Sequence, residues 1–238
     1  MPNPSPFDNL RRYSAAEIES GLALFSTRPR DENALGSGLR WLSSKRAPMI
    51  GYAVTAEMSG DSGDAAGRKE NVDWWDFVQR QPGPKVVVVR DVSAVPGRSV
   101  LCGRLSGCAL LASGCVGFLT DGAVRDSASL DQAGFTLIAK ATTVSHGSPH
   151  VVRFGTPISM DGVTISTGDV IFADAEGSVV FPLSMLPDVP RAVDEVNRRL
   201  RPVLEYCHGA DFSASELNAR IERHMKFAPK FQPGVSTK

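Results

Sequence analysis

The sequence has no excess of either charge and no long hydrophobic run, and each absence excludes a class of protein. Its 238 residues carry 26 Lys and Arg against 26 Asp and Glu, so the formal net charge is zero. This balance gives no indication of a nucleic-acid-binding surface. No apolar segment approaches the roughly 20 residues that span a bilayer. Residues 1–6 lack the basic and apolar regions of a secretory signal. We expect neither nucleic acid nor membrane as a partner.

Cysteine is scarce, and its spacing excludes two kinds of stabilising site. The four cysteines are Cys102, Cys108, Cys115 and Cys207. Their separations fit neither a zinc ribbon nor a disulfide scaffold. Small buried thiols in a reducing compartment explain them better, and we therefore expect a cytoplasmic protein.

The order of the predicted elements indicates one α/β domain with helices outside stacked sheets. We interpret residues 1–13 as a loose arm, 14–228 as the domain and 229–238 as a flexible tail. Ser14 and Ser213 each begin a Ser-x-x-Glu pattern that is typical of a helix start. We predict helices over 14–24, 31–41, 71–80, 103–113, 127–133, 186–207 and 213–225. We predict strands over 49–55, 85–90, 115–120 and 136–139, a surface loop over 59–69, and hairpins over 151–181.

The residues with most chemical potential follow the strand at 115–120. Arg125 and Asp126 come directly after Asp121 and Gly122, and ligand sites in α/β folds favour the carboxyl ends of strands. Arg125 can pair with a carboxylate through two hydrogen bonds, and Asp126 can hold a hard divalent cation. Since adjacent side chains point apart in a strand, we predict a turn at Asp121–Gly122. The alternative is an ordinary surface turn with an exposed ion pair.

Residues 117–126 resemble a motif of the RraA-like family, which includes 4-hydroxy-4-methyl-2-oxoglutarate aldolases, oxaloacetate decarboxylases and the regulator of ribonuclease E activity. Residues 103–106 are similar to the family's Gly-x-Leu-x segment, and residues 167–182 to its Pro-Gly-Asp hairpin. The resemblance covers about residues 49–182. It implies an α-β-β-α layered sandwich with C-terminal helices, assembled as a homotrimer or hexamer with sites at subunit interfaces.

The resemblance also implies a site and a reaction. By resemblance, Arg125 binds the substrate, Asp126 binds Mg²⁺ or Mn²⁺, and the backbone amides of Gly103, Arg104, Leu105 and Ser106 hold the pyruvyl carboxylate. Free N–H groups at a helix start suit such an anion. The implied reaction is class II aldol cleavage or decarboxylation of a 2-oxo dicarboxylate or related pyruvyl compound, through a pyruvate enolate. The alternative is a non-catalytic, protein-binding regulator.

The sequence departs from the family's aldolases at one position and leaves two further features open. Arg104 replaces the usual acidic residue; it can pair with an extra anionic group of the substrate, accompany a lost reaction, or be a solvated helix residue. A second family acid, which comes from the C-terminal helix, falls near residues 195–199. His146 and His150 are solvated loop residues or a metal or base pair. Trp74 and Trp75 belong to the core or an interface, or stack on substrate.

Overall fold

Short β-branched segments such as residues 86–89 form the centre of a mixed sheet. The computed structural model describes residues 5–25, 33–36, 38–44, 47–62 and 67–225, so the predicted tail lies outside the described residues. The strands are β1 (Arg40–Trp41), β2 (Met49–Ser59), β3 (Lys85–Asp91), β4 (Val100–Cys102), β5 (Cys115–Val124), β6 (Thr136–Thr142), β7 (His150–Phe154), β8 (Ile158–Met160), β9 (Val163–Ile165), β10 (Val170–Ala173) and β11 (Ser178–Phe181). The helices are α1 (Ala15–Leu22), α2 (Gly67–Arg80), α3 (Arg104–Ala112), α4 (Ser127–Gln132), α5 (Val189–Cys207) and α6 (Ala214–Met225).

The central strands run parallel, and each outer strand runs antiparallel to the strand with which it pairs. The nine-stranded sheet has the order β1-β6-β5-β3-β2-β10-β11, with β4 also paired to β5 and β7 to β2. The pairs β2–β3, β3–β5, β4–β5 and β5–β6 are parallel. A separate hairpin joins β8 and β9. Because parallel strands bring their carboxyl ends to one edge, this topology places the segments after β4, β5 and β6 side by side.

Three apolar clusters define the layers. One packs α2, α3 and α4 against one face of the parallel strands, through Trp74, Leu110, Leu130 and Val87. A second fills the space between the opposite face and β8–β11, through Val88, Ile165 and Ile171. The third packs α1 and α5 against β10 and β11, through Ile18, Val193 and Phe172. The order helices, strands, strands, helices confirms the predicted α-β-β-α sandwich.

The helix starts predicted from serine are present. Ser14 Oγ accepts the Glu17 N–H, and a Glu17 carboxylate oxygen accepts the Ser14 N–H at 2.8 Å. Ser213 Oγ accepts the Glu216 N–H at 3.2 Å at the start of α6. Among the described residues, no helix is both long enough and apolar enough to cross a bilayer.

The described part of the N-terminal segment is packed, so the prediction of a loose arm was wrong for it. Residues 8–10 form a short 3-10 helix, and the side chains of Phe7 and Leu10 are fully buried. They join the cluster that covers α1 and α5. Burial of these two large apolar side chains stabilises the packed segment.

The helix predicted over residues 31–41 is also wrong in its described part. Ala34 bridges to Val179, and β1 pairs antiparallel with β6 through Arg40 and Trp41. Glycine at positions 36 and 38 weakens a helix by about 1 kcal/mol each. Hydrogen bonds at the sheet edge therefore prevail over the apolar spacing.

The start of α2 and the end of β2 differ from prediction. Helix α2 begins at Gly67, so Asn71 is not its cap, and the predicted loop over 59–69 is shorter at both ends because Ser59 belongs to β2. Lys85 closes the other end of the helix. Its buried ammonium donates to Val78 O at 2.8 Å and Gln79 O at 3.3 Å. A cation at the final carbonyls favours a helix terminus electrostatically.

Candidate active site

The site is built on two neighbouring strand ends. β4 and β5 are parallel, and the Arg125 N–H donates to Cys102 O at 3.0 Å. Gly103 directly follows β4 and is the N-terminal cap of α3. The main chain therefore brings Gly103 and Arg125 together at the edge where ligand sites form.

The turn that separates Arg125 from Asp126 lies later than predicted. β5 continues through Asp121 and Gly122 to Val124, so the prediction of a turn at Asp121–Gly122 was wrong. The reversal occurs at Asp126, whose φ of 57° is left-handed. β5 extends because Ala123 and Val124 pair with β6 on one side and β4 on the other. Asp is among the few residue types that tolerate the left-handed region.

The Asp126 carboxylate faces both Arg125 and the start of α3. Its Oδ2 accepts the Arg104 N–H at 3.1 Å and lies 3.4 Å from Arg125 Nε. Both side chains are 32% exposed, so both groups remain reachable from solvent. A Cβ on Gly103 would lie 3.1 Å from Arg125 Nε, which shows how closely the guanidinium approaches the main chain there. A carboxylate at this position also matches the positive end of the helix.

The first turn of α3 has the donors that an anion needs. Ser106 Oγ accepts the Gly103 N–H at 3.1 Å, and Asp126 takes the N–H of Arg104. The next two amides, those of Leu105 and Ser106, have no carbonyl four residues back within the helix. They are therefore suited to a carboxylate oxygen. The structure thus places Gly103, Arg104, Leu105 and Ser106 beside Arg125 and Asp126.

The cleft beside Arg125 and Asp126 has a second wall that sequence reasoning missed. Thr142, Thr143 and Val144 line it together with Ser127. Thr143 N–H donates to Val124 O at 3.0 Å, which ties this wall to the end of β5. The residues follow β6, so the rule on carboxyl ends of parallel strands would have found them if the sheet order had been known.

Asp126 fits a single-carboxylate cation site. Within the described ranges there is no group of three or more His, Cys, Asp or Glu side chains that could hold a metal. Of the two carboxylate oxygens of Asp126, Oδ2 has hydrogen-bond and ion-pair partners among the described residues and Oδ1 has none, which leaves Oδ1 for a cation. Mg²⁺ commonly takes one or two carboxylates and fills its other positions with water and substrate. The donor set fits Mg²⁺ or Mn²⁺ on that basis.

Asp121, which we predicted to lie in a turn, lies in β5 and links that strand to its neighbour. Its Oδ1 accepts the Asp91 N–H at 2.7 Å, which joins β5 to the end of β3. Burial raises the pKa of the Asp121 carboxyl. The hydrogen bond from the Asp91 amide lowers this pKa, and the negative charge of the Asp91 carboxylate raises it. It is a structural acid next to the site.

Asp121→Asn is expected to make the protein more stable at neutral pH. Because the folded pKa of Asp121 is above its unfolded value, the folded state binds the proton more tightly. Wild-type stability therefore falls as pH rises from the unfolded value of about 3.9 through the folded one. Asparagine keeps the oxygen that accepts the Asp91 amide and removes the charge. Urea unfolding at several pH values checks this, and an unchanged pH slope in the variant would contradict it.

Two other groups considered from sequence have local partners. His150 Nδ1 lies 2.9 Å from Ser148 O and must be its donor, because a carbonyl only accepts. Glu195 of α5 bonds Arg198 at 2.8 Å and also bonds Arg199. The hydrogen bond from Arg198 lowers the pKa of the Glu195 carboxyl. Glu195 is thus anionic and tied to its own helix.

Comparison with known proteins gives a family match over most of the chain. Residues 24–180 match the RraA-like family model, described as Aldolase/RraA. Protein DlpA of Legionella pneumophila is 28% identical over 116 residues, which are 48% of this chain and 18% of that protein. A putative 4-hydroxy-4-methyl-2-oxoglutarate aldolase of Halalkalibacterium halodurans is 36% identical over 70 residues, 29% of this chain and 33% of that protein. The matches thus span a third or less of these relatives' own length.

Solved structures show the same fold at low identity. RraAS2 of Streptomyces coelicolor, described as an unusual member of the RNase ES inhibitor RraA protein family, has a TM-score of 0.64 at 22% identity, over 83% of this chain and 94% of that one. A structure described as one of novel cellulases from gut-associated microbes has a TM-score of 0.72 at 17% identity, over 85% and 89% of the chains. At such identities the likeness concerns the fold alone.

Proposed function

Because the chain belongs to the RraA-like family, described as Aldolase/RraA, we propose that it is a divalent-metal-dependent carbon–carbon lyase acting on a 2-oxo dicarboxylate or related pyruvyl compound. The family includes aldolases and decarboxylases as well as regulators of ribonuclease E. The observation that carries the proposal is that Arg125 and Asp126 line one cleft while the Asp126 carboxylate accepts the Arg104 N–H at the start of α3. This chemistry requires three groups: a carboxylate that binds a metal cation, a positively charged side chain that binds the substrate, and free backbone amides.

Each group has a defined task in the proposed reaction. The amides of Leu105 and Ser106 hold the carboxylate next to the 2-oxo group. Arg125 pairs with the substrate and neutralises negative charge on the pyruvyl oxygen as it develops. Asp126 holds Mg²⁺ or Mn²⁺, which supplies Lewis-acid polarisation of the 2-oxo group when bound. The C3–C4 bond breaks and its electron pair stays on the pyruvyl fragment. The C4 fragment leaves as CO2 in decarboxylation or, after its hydroxyl group loses a proton, as a carbonyl compound in aldol cleavage. The pyruvyl fragment then takes a proton at C3 to give pyruvate.

Arg104 gives this site a preference for a second anionic group. Its side chain is exposed at the first helical position of α3, one residue from the proposed carboxylate amides. We expect Arg104→Gln to raise the KM of a dicarboxylic 2-oxo acid about tenfold, since a charge-assisted hydrogen bond contributes roughly 1.5–3 kcal/mol. The KM of a monocarboxylic analogue should change little. Equal changes for both substrates would contradict the role.

We propose that neighbouring subunits cover the site in a homotrimer or hexamer, in the cytoplasm. Two apolar side chains beside the cleft support this: Leu105 is 86% exposed and Val144 is 97% exposed. Large exposed apolar residues next to a polar site are typical of a surface that a partner covers. Light scattering after gel filtration gives the number of subunits directly.

The decisive test is pyruvate release from oxaloacetate and from 4-hydroxy-4-methyl-2-oxoglutarate. Each reaction is run with Mg²⁺, with Mn²⁺ and with a chelator, against blanks that contain the metal alone. We expect protein- and metal-dependent release from at least one compound. We also expect Mg²⁺ with oxalate, a pyruvyl analogue, to raise the melting temperature. A folded protein that gives neither release nor a shift would exclude the lyase and leave the non-catalytic regulator.

A further inference from the structure

An apolar cavity lies between α3 and α2, and residues of both helices line it. Its volume is about 190 Å³. Trp74 and Trp75 of α2, Leu110 of α3, Leu101 of β4 and Phe118 of β5 supply its apolar walls. An apolar cavity of about 150 Å³ is large enough to stay dry and bind benzene. The cavity therefore has room for one aromatic ring.

One residue, Ser106, belongs both to the wall of this cavity and to the first turn of α3. Ser106 lines the cavity, and its hydroxyl also accepts the Gly103 N–H at 3.1 Å within the first turn of α3. Leu110 is one helical turn further on, so both side chains point to the same face of the helix. A ligand with its carboxylate on the first-turn amides would reach the cavity by passing Ser106.

The rim of the cavity carries one titratable group. His150 lines it together with Pro149, and its Nδ1–H is committed to Ser148 O at 2.9 Å. The other ring nitrogen, Nε2, accepts a hydrogen bond when the imidazole is neutral. The interior walls are apolar, so a polar substituent on a bound ring would find a hydrogen-bond partner only at this rim.

We propose that the cavity is a subsite for an aromatic ring at the far end of a 2-oxo acid. The inference rests on the proposed function for the position of the carboxylate, and it extends the substrate class to pyruvyl compounds that carry an aryl group. Two indoles and a phenyl ring in the walls favour a planar aromatic occupant over an aliphatic one, through stacked or edge contacts. Arg125 and the α3 amides would hold the polar end, and the cavity would hold the ring.

The test compares the affinities of phenylpyruvate and pyruvate, without turnover. Trp74 and Trp75 report binding by fluorescence, and calorimetry provides an independent value. Burying a ring contributes enough to make phenylpyruvate roughly 10- to 100-fold tighter. Leu110→Phe fills the cavity and should bring the ratio close to one. Leu111→Phe is the matched control, because Leu111 is the adjacent helix residue, packs at the edge of the same core cluster and does not line the cavity.

Two further variants keep the test decisive. If Leu110→Phe does not fold, Trp75→Ala removes one wall from a partly buried position and should reduce the ratio as well. Arg125→Gln should weaken both acids alike. Equal affinities in the wild type, or a preference that survives both cavity variants, would overturn the subsite. An affinity for phenylpyruvate that Arg125→Gln leaves unchanged would also overturn the subsite. If phenylpyruvate binds more tightly than pyruvate but no substrate releases pyruvate, the proposed reaction is wrong and the proposed ligand class stands.

Discussion

Asp126→Asn is expected to lower metal-dependent kcat/KM about a thousandfold, because it removes the one carboxylate that the cleft offers to a cation. Asparagine tolerates the left-handed backbone that Asp126 adopts at φ 57°. It can also keep an oxygen for the Arg104 N–H. The fold should therefore be preserved while the charge is lost. Initial rates of pyruvate release over a range of Mg²⁺ concentrations measure the effect.

The chain offers a matched control for this substitution. Asp161 is also left-handed, with φ 48°, and lies in the turn between β8 and β9. Asp161→Asn makes the same chemical change in the same backbone conformation, outside the cleft. We expect it to retain full activity. If Asp126→Asn kept the wild-type rate and metal dependence, Asp126 would not be the ligand, and the assignment of the cation site would be wrong.

Gly117→Ala is expected to destabilise the protein by about 3 kcal/mol or more, which is a large part of the stability of a domain. Gly117 lies in β5 between β3 and β6. A Cβ there would lie 2.6 Å from Thr136 O and would also collide with Met49 Sδ. The carbonyl belongs to the neighbouring strand, so it cannot move without disturbing the sheet. The melting temperature should fall by roughly 6–12 °C.

Gly177→Ala provides the comparison. Gly177 lies in the turn before β11, and a Cβ there meets nothing within 4 Å. The same added methyl group should change stability by no more than about 0.5 kcal/mol. Urea unfolding of both variants separates a steric effect from a general cost of replacing glycine. Equal small changes in both variants would show that the sheet adapts around position 117.

The sequence predicted the buried elements well because their signals are local. The valine run of β3 and the serine caps of α1 and α6 depend on neighbours within a few residues. The failures depend on distant partners. Ala34 bridges to β11 and β1 pairs with β6, while Phe7 shares a buried cluster with residues of α5, which begins about 180 residues later in the chain. No local pattern contains those contacts.

The same distinction applies to the site. Arg125 and Asp126 were identifiable as a pair because they follow a strand, and their convergence with Gly103 came from the family resemblance. The wall at 142–144 was missed because it becomes adjacent only when β6 takes its position beside β5. The late turn at Asp126 was missed because an Asp-Gly pair usually marks a reversal. Here the two residues after that pair, Ala123 and Val124, continue the strand by pairing with β4 and β6.

The hydrogen bond from Arg125 N–H to Cys102 O is a main-chain contact, so it does not depend on the side chains of the site. It fixes the spacing of the arginine from the α3 amides through peptide groups alone. Peptide groups are the same whatever side chains they carry. Substitutions of Arg104 or of the cavity walls can therefore change the proposed substrate preference while the main-chain spacing of the site stays the same.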